Sequence, residues 1–380
     1  MSKLNVKQRL NEFKEGIGPT IKESKFMISR MKKSPLSIVG VAILIFFTAM
    51  AILAPVLAPP TGYDPYKIPR EGFKAEPQPP NEKHPFGTAQ GQYDIYYGCI
   101  WGTRTAFRVG FMVVLSTVVI GIIVGVVSGY YGGIIDDIMM RFTDVIYAFP
   151  GLILVMALVV AVPVWFKFHI GPLLLIIAGL IGCFVGVLTP SRRSRLRLAL
   201  IFLGIGFVAI AIATMVFPSQ MYLTQGPLIR LVFTQLDKVM IALAIVGWPT
   251  YSRVMRGEIL RVKQEDYVES AKAVGCSDAR VIFKHILPNS IYPVLIMASL
   301  DIGAIVLTAA ALSFLGLGAP PGYADWGQMI SFSRNWIGVQ GNYYWFTWLI
   351  PGLFIFTFVL GWNLLGDAFR DVFDPTLRRR

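Results

Sequence analysis

The sequence predicts an all-α, polytopic membrane protein: a bundle of transmembrane helices with about eight spans. Three observations carry this. Of 380 residues, 55% are hydrophobic and only 15% charged, where a soluble domain carries about 25% charged residues. Mean hydropathy is +0.61. The apolar residues fall in long uncharged runs, several of about 20 residues or more, the length a helix needs to cross roughly 30 Å of hydrocarbon. Backbone groups inside lipid must be bonded within their own segment, so such runs mean helices.

Each element follows in order. Residues Met1 to Pro35 form a basic tail with Lys3, Lys7, Arg9, Lys14, Lys22, Lys25, Arg30, Lys32 and Lys33. By the positive-inside rule this tail is cytoplasmic, and about 35 mixed polar residues ahead of the first apolar run do not read as a cleavable leader. The first span is expected at 36–57, followed by a Pro-rich external loop at 58–105 with balanced charge. A second span at about 107–131 carries Gly121, Gly125 and Gly129 at i, i+4 spacing, where small residues let helices approach closely. A third span is expected at about 144–166. Two further runs, 171–188 and 198–217, flank Arg192, Arg193, Arg195 and Arg197. A sixth at 228–248 is interrupted by Arg230, Asp237 and Lys238. The seventh and eighth are expected at 290–315 and 343–365, and the chain ends in a basic tail at 367–380. Eight crossings from a cytoplasmic start put the Arg cluster, the polar stretch 253–289 and the C-terminus on the cytoplasmic side.

The net charge of +13 sits between the apolar runs, so it reads as an orientation signal and not as a nucleic-acid surface. Cys99, Cys183 and Cys276 form no CxxC, and His84, His169 and His285 lie far apart; no metal site and no shared disulfide are expected. No Gly-x-x-x-x-Gly-Lys-Ser/Thr loop is present for phosphates, and no Ser/His/Asp or paired-carboxylate arrangement points to catalysis.

The polar stretch 253–289 is the most informative. Glu265 to Val274 has helix-forming composition, and Gly275 suits a helix stop because glycine tolerates positive φ. Ser277 or Asp278 can cap a second helix through His285, and Pro288 marks entry to the next span. Two short helices meeting at a turn between membrane helices could dock on a partner and pass motion to both attached spans. A loop lying on the membrane surface fits the same physics equally well.

This segment resembles the EAA loop of binding-protein-dependent ABC importer permeases, whose pattern is Glu-Ala-Ala, then Gly, then Ile-x-Leu-Pro. Glu269, Ser270, Ala271, Gly275, Ile286, Leu287 and Pro288 match it, with Ser270 in place of the first alanine. Further stretches resemble the C-type subunit of the dipeptide/oligopeptide permease family: Ala54 to Pro59, His84-Pro85-Phe86-Gly87-Thr88, Ala148-Phe149-Pro150, Val246 to Pro249, Ser313 to Gly318, and Asn363 to Asp367. The resemblance covers most of the chain outside about 163–236.

That resemblance implies a type I ABC importer fold, a permease core at 106–366 with an insertion at about 164–236, and six core spans plus two inserted ones. It also implies a homologous second permease subunit, two ATP-binding subunits and an extracytoplasmic binding protein. ATP and magnesium would be held by the partner subunits, with no cofactor in this chain. The family's commonest cargo is di- and oligopeptides; oligosaccharides and nickel are alternatives, and a stand-alone secondary transporter is the rival class. The chain departs from the family pattern at Ala89, Gln92, Tyr93 and Tyr97-Gly98 in the external motif, while Asp94, Gly102 and Arg104 remain. Ala309 stands where relatives often carry glutamate, and Asp301 lies two turns earlier. An ionisable group within a span is a candidate for the pathway or for a contact between subunits.

Overall fold

The computed structural model describes residues 34–72, 74–162, 165–169, 228–232, 234–339 and 343–373. Its helices are α1 (Pro35–Leu57), α2 (Ile95–Tyr131), α3 (Gly133–Tyr147), α4 (Gly151–Ala161), α5 (Gln235–Val262) and α6 (Asp266–Ala273). There follow α7 (Asp278–Arg280), a π segment (Val281–Ile286), α8 (Leu287–Ser290), α9 (Tyr292–Phe314), α10 (Trp326–Phe332) and α11 (Phe346–Phe373). Two small antiparallel pairs complete it: β1 (Thr88–Ala89) with β2 (Tyr93–Asp94), and β3 (Trp165–His169) with β4 (Leu228–Val232). The described residues thus bear out the all-α class.

Four of these helices, α1, α2, α9 and α11, are long and apolar enough to cross a membrane. Their outward residues are apolar too: Ile45, Ile52, Leu115 and Ile123 are exposed, as lipid contact requires. The expected third span is not one straight helix. The expected range, 144–166, takes in only the end of α3 and all of α4, and α3 begins already at Gly133; the two helices are bent by 90°. Pro150 lacks an N–H and pushes the residue before it out of the helical region, so the chain breaks between Tyr147 and Gly151. Counted as one span, the pair makes five among the described residues. The expected spans at 171–188 and 198–217 lie outside the described residues. The sixth run is shifted: Leu228–Val232 is strand, and the helix starts at Gln235, fixed by a reciprocal cap between Thr234 and Asp237. It then continues through Val262, well into the stretch read as polar loop.

The chain divides into two compact units. The first comprises 1–115 and 292–380. Here α1 starts at the Ser34 cap with Pro35 in its first turn, where a missing N–H costs nothing. Pro55 leaves the Ala51 carbonyl without its helical donor, and the Arg104 guanidinium supplies one: Nε donates to Ala51 O at 2.5 Å and Nη2 to Ile52 O at 3.3 Å. The helices pack by close approach at glycine. A Cβ on Gly40 would stand 2.7 Å from Leu364 Cβ, and one on Gly366 would stand 2.3 Å from Leu300 Cδ2. Phe47 fills the centre, with ring centroids 5.3–6.1 Å from Phe358, Trp326 and Phe354. Residues 58–72 and 315–324 pack together beyond the ends of α1 and α9. Tyr66 stacks on Tyr323 at 5.4 Å, Ala324 N donates to Tyr66 O, and Trp101 Nε1 donates to Ala58 O at 2.8 Å.

In this region the residues that depart from the family pattern are used internally. Gln92 takes φ +62 at the β1–β2 turn, and its Nε2 donates to Glu76 O at 2.7 Å. Tyr93 stacks on Phe332, with centroids 4.9 Å apart. Tyr97 Oη donates to Pro65 O. Asp94, which the pattern retains, pairs with buried His84 at 2.7 Å.

Candidate functional site

The second unit is 116–291, and it contains the helical hairpin the sequence singled out. The first limb, α6, ends at Val274 with Gly275 at φ +86. Cys276 N donates to Ala271 O at 3.1 Å and Gly275 N to Lys272 O at 2.9 Å, the paired bonds of a Schellman stop. The second limb begins after Ser277 and continues, through α7 and the π segment, to Ser290. It is longer than the expected 278–285. Pro288 accounts for the widened turn: it cannot donate to Lys284 O, and its ring would crowd that carbonyl in a regular helix. With i→i+5 bonding, Leu287 N donates to Ile282 O. The Asn289 and Ser290 side chains satisfy His285 O and Ile286 O at 2.7 and 2.9 Å.

One face of the hairpin is anchored. Val268, Val281, Ile282 and Ile286 are buried, together with Ile259 and Val262 of α5. Full burial of each such side chain is worth about 1.5–3 kcal/mol. The other face is open. Glu269, Ser270, Lys272 and Gly275 are exposed, Ala271 is half-buried, and Val274 and Phe283 are 85% and 62% exposed. Of the remaining matched residues, Ile286 is buried, Leu287 half-buried and Pro288 exposed. The hairpin therefore separates into buried residues beneath and an open face above.

Helix α5, which leads into the hairpin, is clamped to its neighbours. Gly121, Gly125 and Gly129 of α2 face Tyr251, Met255 and Ile259, all at four-residue spacing; a Cβ at the three glycines would stand 2.3, 2.6 and 2.9 Å from the Cβ atoms opposite. On α3, Asp136 receives a bidentate bond from Arg256 at 2.6 and 2.5 Å, and a further bond from Ser128. The fork-to-carboxylate geometry makes this a strong, directional contact. Arg253 pairs with Asp144 at 2.5 Å and lies over the Tyr147 ring at 4.1 Å.

Sequence reasoning missed Tyr130. It is buried near the end of α2. Its Oη donates to Asp278 Oδ1 at 2.8 Å, and its carbonyl accepts from Lys263 Nζ at 2.6 Å. The ammonium groups of Lys263 and Lys272 each lie 5.5 Å from its ring centroid. Burial, with Lys272 beside it, holds Lys263 below the usual lysine range. A tyrosine at a span end is a common interfacial residue, and nothing in its local sequence marks it out. Asp301 lies in the other unit, on α9, and is half-buried. Among the described residues no group of three His, Cys, Asp or Glu could hold a metal ion.

Long apolar helices of this kind are those of a membrane-embedded protein. The chain belongs to the family of binding-protein-dependent transport system inner membrane components, whose model matches residues 179–379. Residues 25–80 match the N-terminal TM domain of oligopeptide transport permease C. A dipeptide transport system permease protein of Alkalihalophilus pseudofirmus is 31% identical over 92% of this chain and 88% of the relative. A probable D,D-dipeptide transport system permease protein of Escherichia coli is 30% identical over 92% of the chain and 90% of the relative. A glutathione transport system permease protein of Pectobacterium atrosepticum is 41% identical over a shorter stretch, 37% of the chain and 45% of the relative. The chain is thus a permease subunit of a binding-protein-dependent system and not an enzyme, as the sequence led us to expect.

Proposed function

We propose that this subunit forms half of the translocation pathway of an ATP-driven importer of di- and oligopeptides in the cell membrane, both termini being cytoplasmic. It pairs with a homologous permease subunit, receives cargo from an extracytoplasmic binding protein, and is driven by two ATP-binding subunits that hold ATP and magnesium. The relatives named above, a dipeptide and a probable D,D-dipeptide permease, support the cargo class.

The observation that carries the coupling role is the two-faced hairpin, anchored by Val268, Val281 and Ile286 and open at Glu269, Ser270 and Val274. In this reading the open face seats on an ATP-binding subunit, with Glu269 as a polar contact, Ala271 as a close-packing position and Gly275 as the turn. Ile286, Leu287 and Pro288 fix the second limb to α5. ATP-bound and ATP-free partners grip the hairpin differently, and only that difference can shift the pathway between its inward and outward states. Asp301 is a candidate for the pathway or the contact with the second permease, and Gly121, Gly125 and Gly129 hold α2 to α5.

The test is co-purification of the tagged complex in mild detergent, with ATP hydrolysis and peptide uptake measured after reconstitution. Ala271→Leu is expected to keep the membrane subunits together but lose the ATP-binding subunits or uncouple hydrolysis from uptake. Wild-type uptake per ATP in Ala271→Leu refutes the docking role. Purification of the chain alone, with solute moved by an ion gradient, refutes the importer reading.

A further inference from the structure

The hairpin is covalently joined to α5 and α9, and motion of the hairpin must reach those helices. The contacts of Tyr130 add a third helix. Near the end of α2 the last carbonyls have no intrahelical donors. Lys263, the residue after α5, fills one of them, and its positive charge suits the negative end of a helix dipole. The Tyr130 hydroxyl reaches Asp278 in the first turn of the second limb. Its ring is flanked by Lys272 in the last turn of the first limb. One side chain thus touches the end of α5 and both limbs of the hairpin, in a region where Gly129 already holds α2 against Ile259.

We propose that Tyr130 is a positioning residue that makes α2 a working part of the coupling machinery, so that displacement of the hairpin is delivered to α2 directly. The proposal rests on the docking role given above. It predicts that the hydroxyl, and not just the bulk of the ring, matters. Tyr130→Phe keeps the ring, the cation contacts and the carbonyl cap, and removes only the bond to Asp278. Asp278→Ala removes the same bond from the other side. Asp278→Asn keeps an acceptor for the hydroxyl.

The experiment uses the complete complex in lipid vesicles and reads two quantities. The first is amide hydrogen exchange over 266–290. The second is peptide uptake per ATP hydrolysed. Loss of one hydrogen bond should speed exchange in the hairpin roughly two- to tenfold. Tyr130→Phe and Asp278→Ala should both show this together with a lower uptake per ATP. Their double variant should be no worse than either alone, as expected of two halves of one contact, and Asp278→Asn should restore most of the ratio. Unchanged exchange in Tyr130→Phe overturns the proposal. So does faster exchange with wild-type uptake per ATP, and so do additive effects in the double variant. Failure of the docking role itself has a different signature: Ala271→Leu leaves uptake per ATP untouched while the exchange effect of Tyr130→Phe persists.

Discussion

Replacing Gly125 by alanine puts a methyl group where the structure leaves no room. The new Cβ would stand 2.6 Å from both Met255 Cβ and Ser252 O, and 3.0 Å from Arg256 N. Two of these three atoms are backbone, so no side-chain rotation relieves the clash. Restoring ordinary contact, from 2.6 Å to 3.4 Å, moves α2 and α5 apart by about 0.8 Å. Overpacking of this kind costs about 1–3 kcal/mol, against a gain of about 0.5–1 kcal/mol from replacing a glycine within a helix. The net expectation is a loss of up to about 2.5 kcal/mol. Gly257, on α5 itself, is the control, because a Cβ there meets nothing within 4 Å. Gly257→Ala should be neutral or stabilising by up to about 1 kcal/mol. The assay is the unfolding midpoint of the purified complex in detergent, with uptake measured in parallel. The midpoint should fall in Gly125→Ala and hold or rise in Gly257→Ala. Equal midpoints in the two variants would refute the close-approach argument.

Two further outcomes follow from single residues. Gly275→Ala forces a side chain into φ +86, at a cost of about 1–2 kcal/mol; Gly275→Asn should cost less, since asparagine tolerates that region better. Limited proteolysis of the hairpin should rank the variants as Ala, then Asn, then wild type in order of cleavage rate. Equal rates would show that the turn relaxes without strain. Asp325 is buried and caps α10 by accepting from Gln328 N at 2.8 Å, and burial raises its carboxyl above the usual range. With the folded pKa above the unfolded one, its contribution is fully present below the unfolded pKa and is lost as pH rises through the folded pKa. Asp325→Asn keeps the cap without the titration. The stability gap between wild type and variant should therefore move against the wild type as pH is raised from about 4; a pH-independent gap would contradict this.

Much of the helical layout is legible in the sequence because the bilayer imposes one rule on every span: length and apolarity. That rule places α1, α9 and the apolar part of α2 within a few residues. It fails where charge and apolarity mix. Helix α5 carries Lys238, Arg253, Arg256 and Arg261, so its extension to Val262 is hidden in what reads as a polar loop. The 90° break before Gly151 was available in Phe149-Pro150, but a run of apolar residues on both sides masks it. The Schellman stop at Gly275 is local chemistry and is readable; Pro288 marks a disturbance in the second limb, but not that the chain answers it with a widened π turn and not with a break. Tyr130 was invisible for a different reason. Its partners Lys263, Lys272 and Asp278 are more than 130 residues away in sequence, and no periodicity or spacing links them.

The length of α2 has a consequence for how the protein meets the bilayer. Its 37 residues make a rod of about 55 Å, against a hydrocarbon thickness of about 30 Å. Even the steepest common inclination, about 40° from the normal, absorbs only about 39 Å of that, or some 26 residues. At that thickness about eleven residues must therefore stand clear of the hydrocarbon. The segment from Ile95 to Thr105, with Thr103, Arg104 and Thr105 at its inner edge, is the part chemically suited to do so. A thicker or thinner membrane would then be met by tilting the apolar portion, while the protruding turns keep their hydrogen bonds to Ala58 and Ala324.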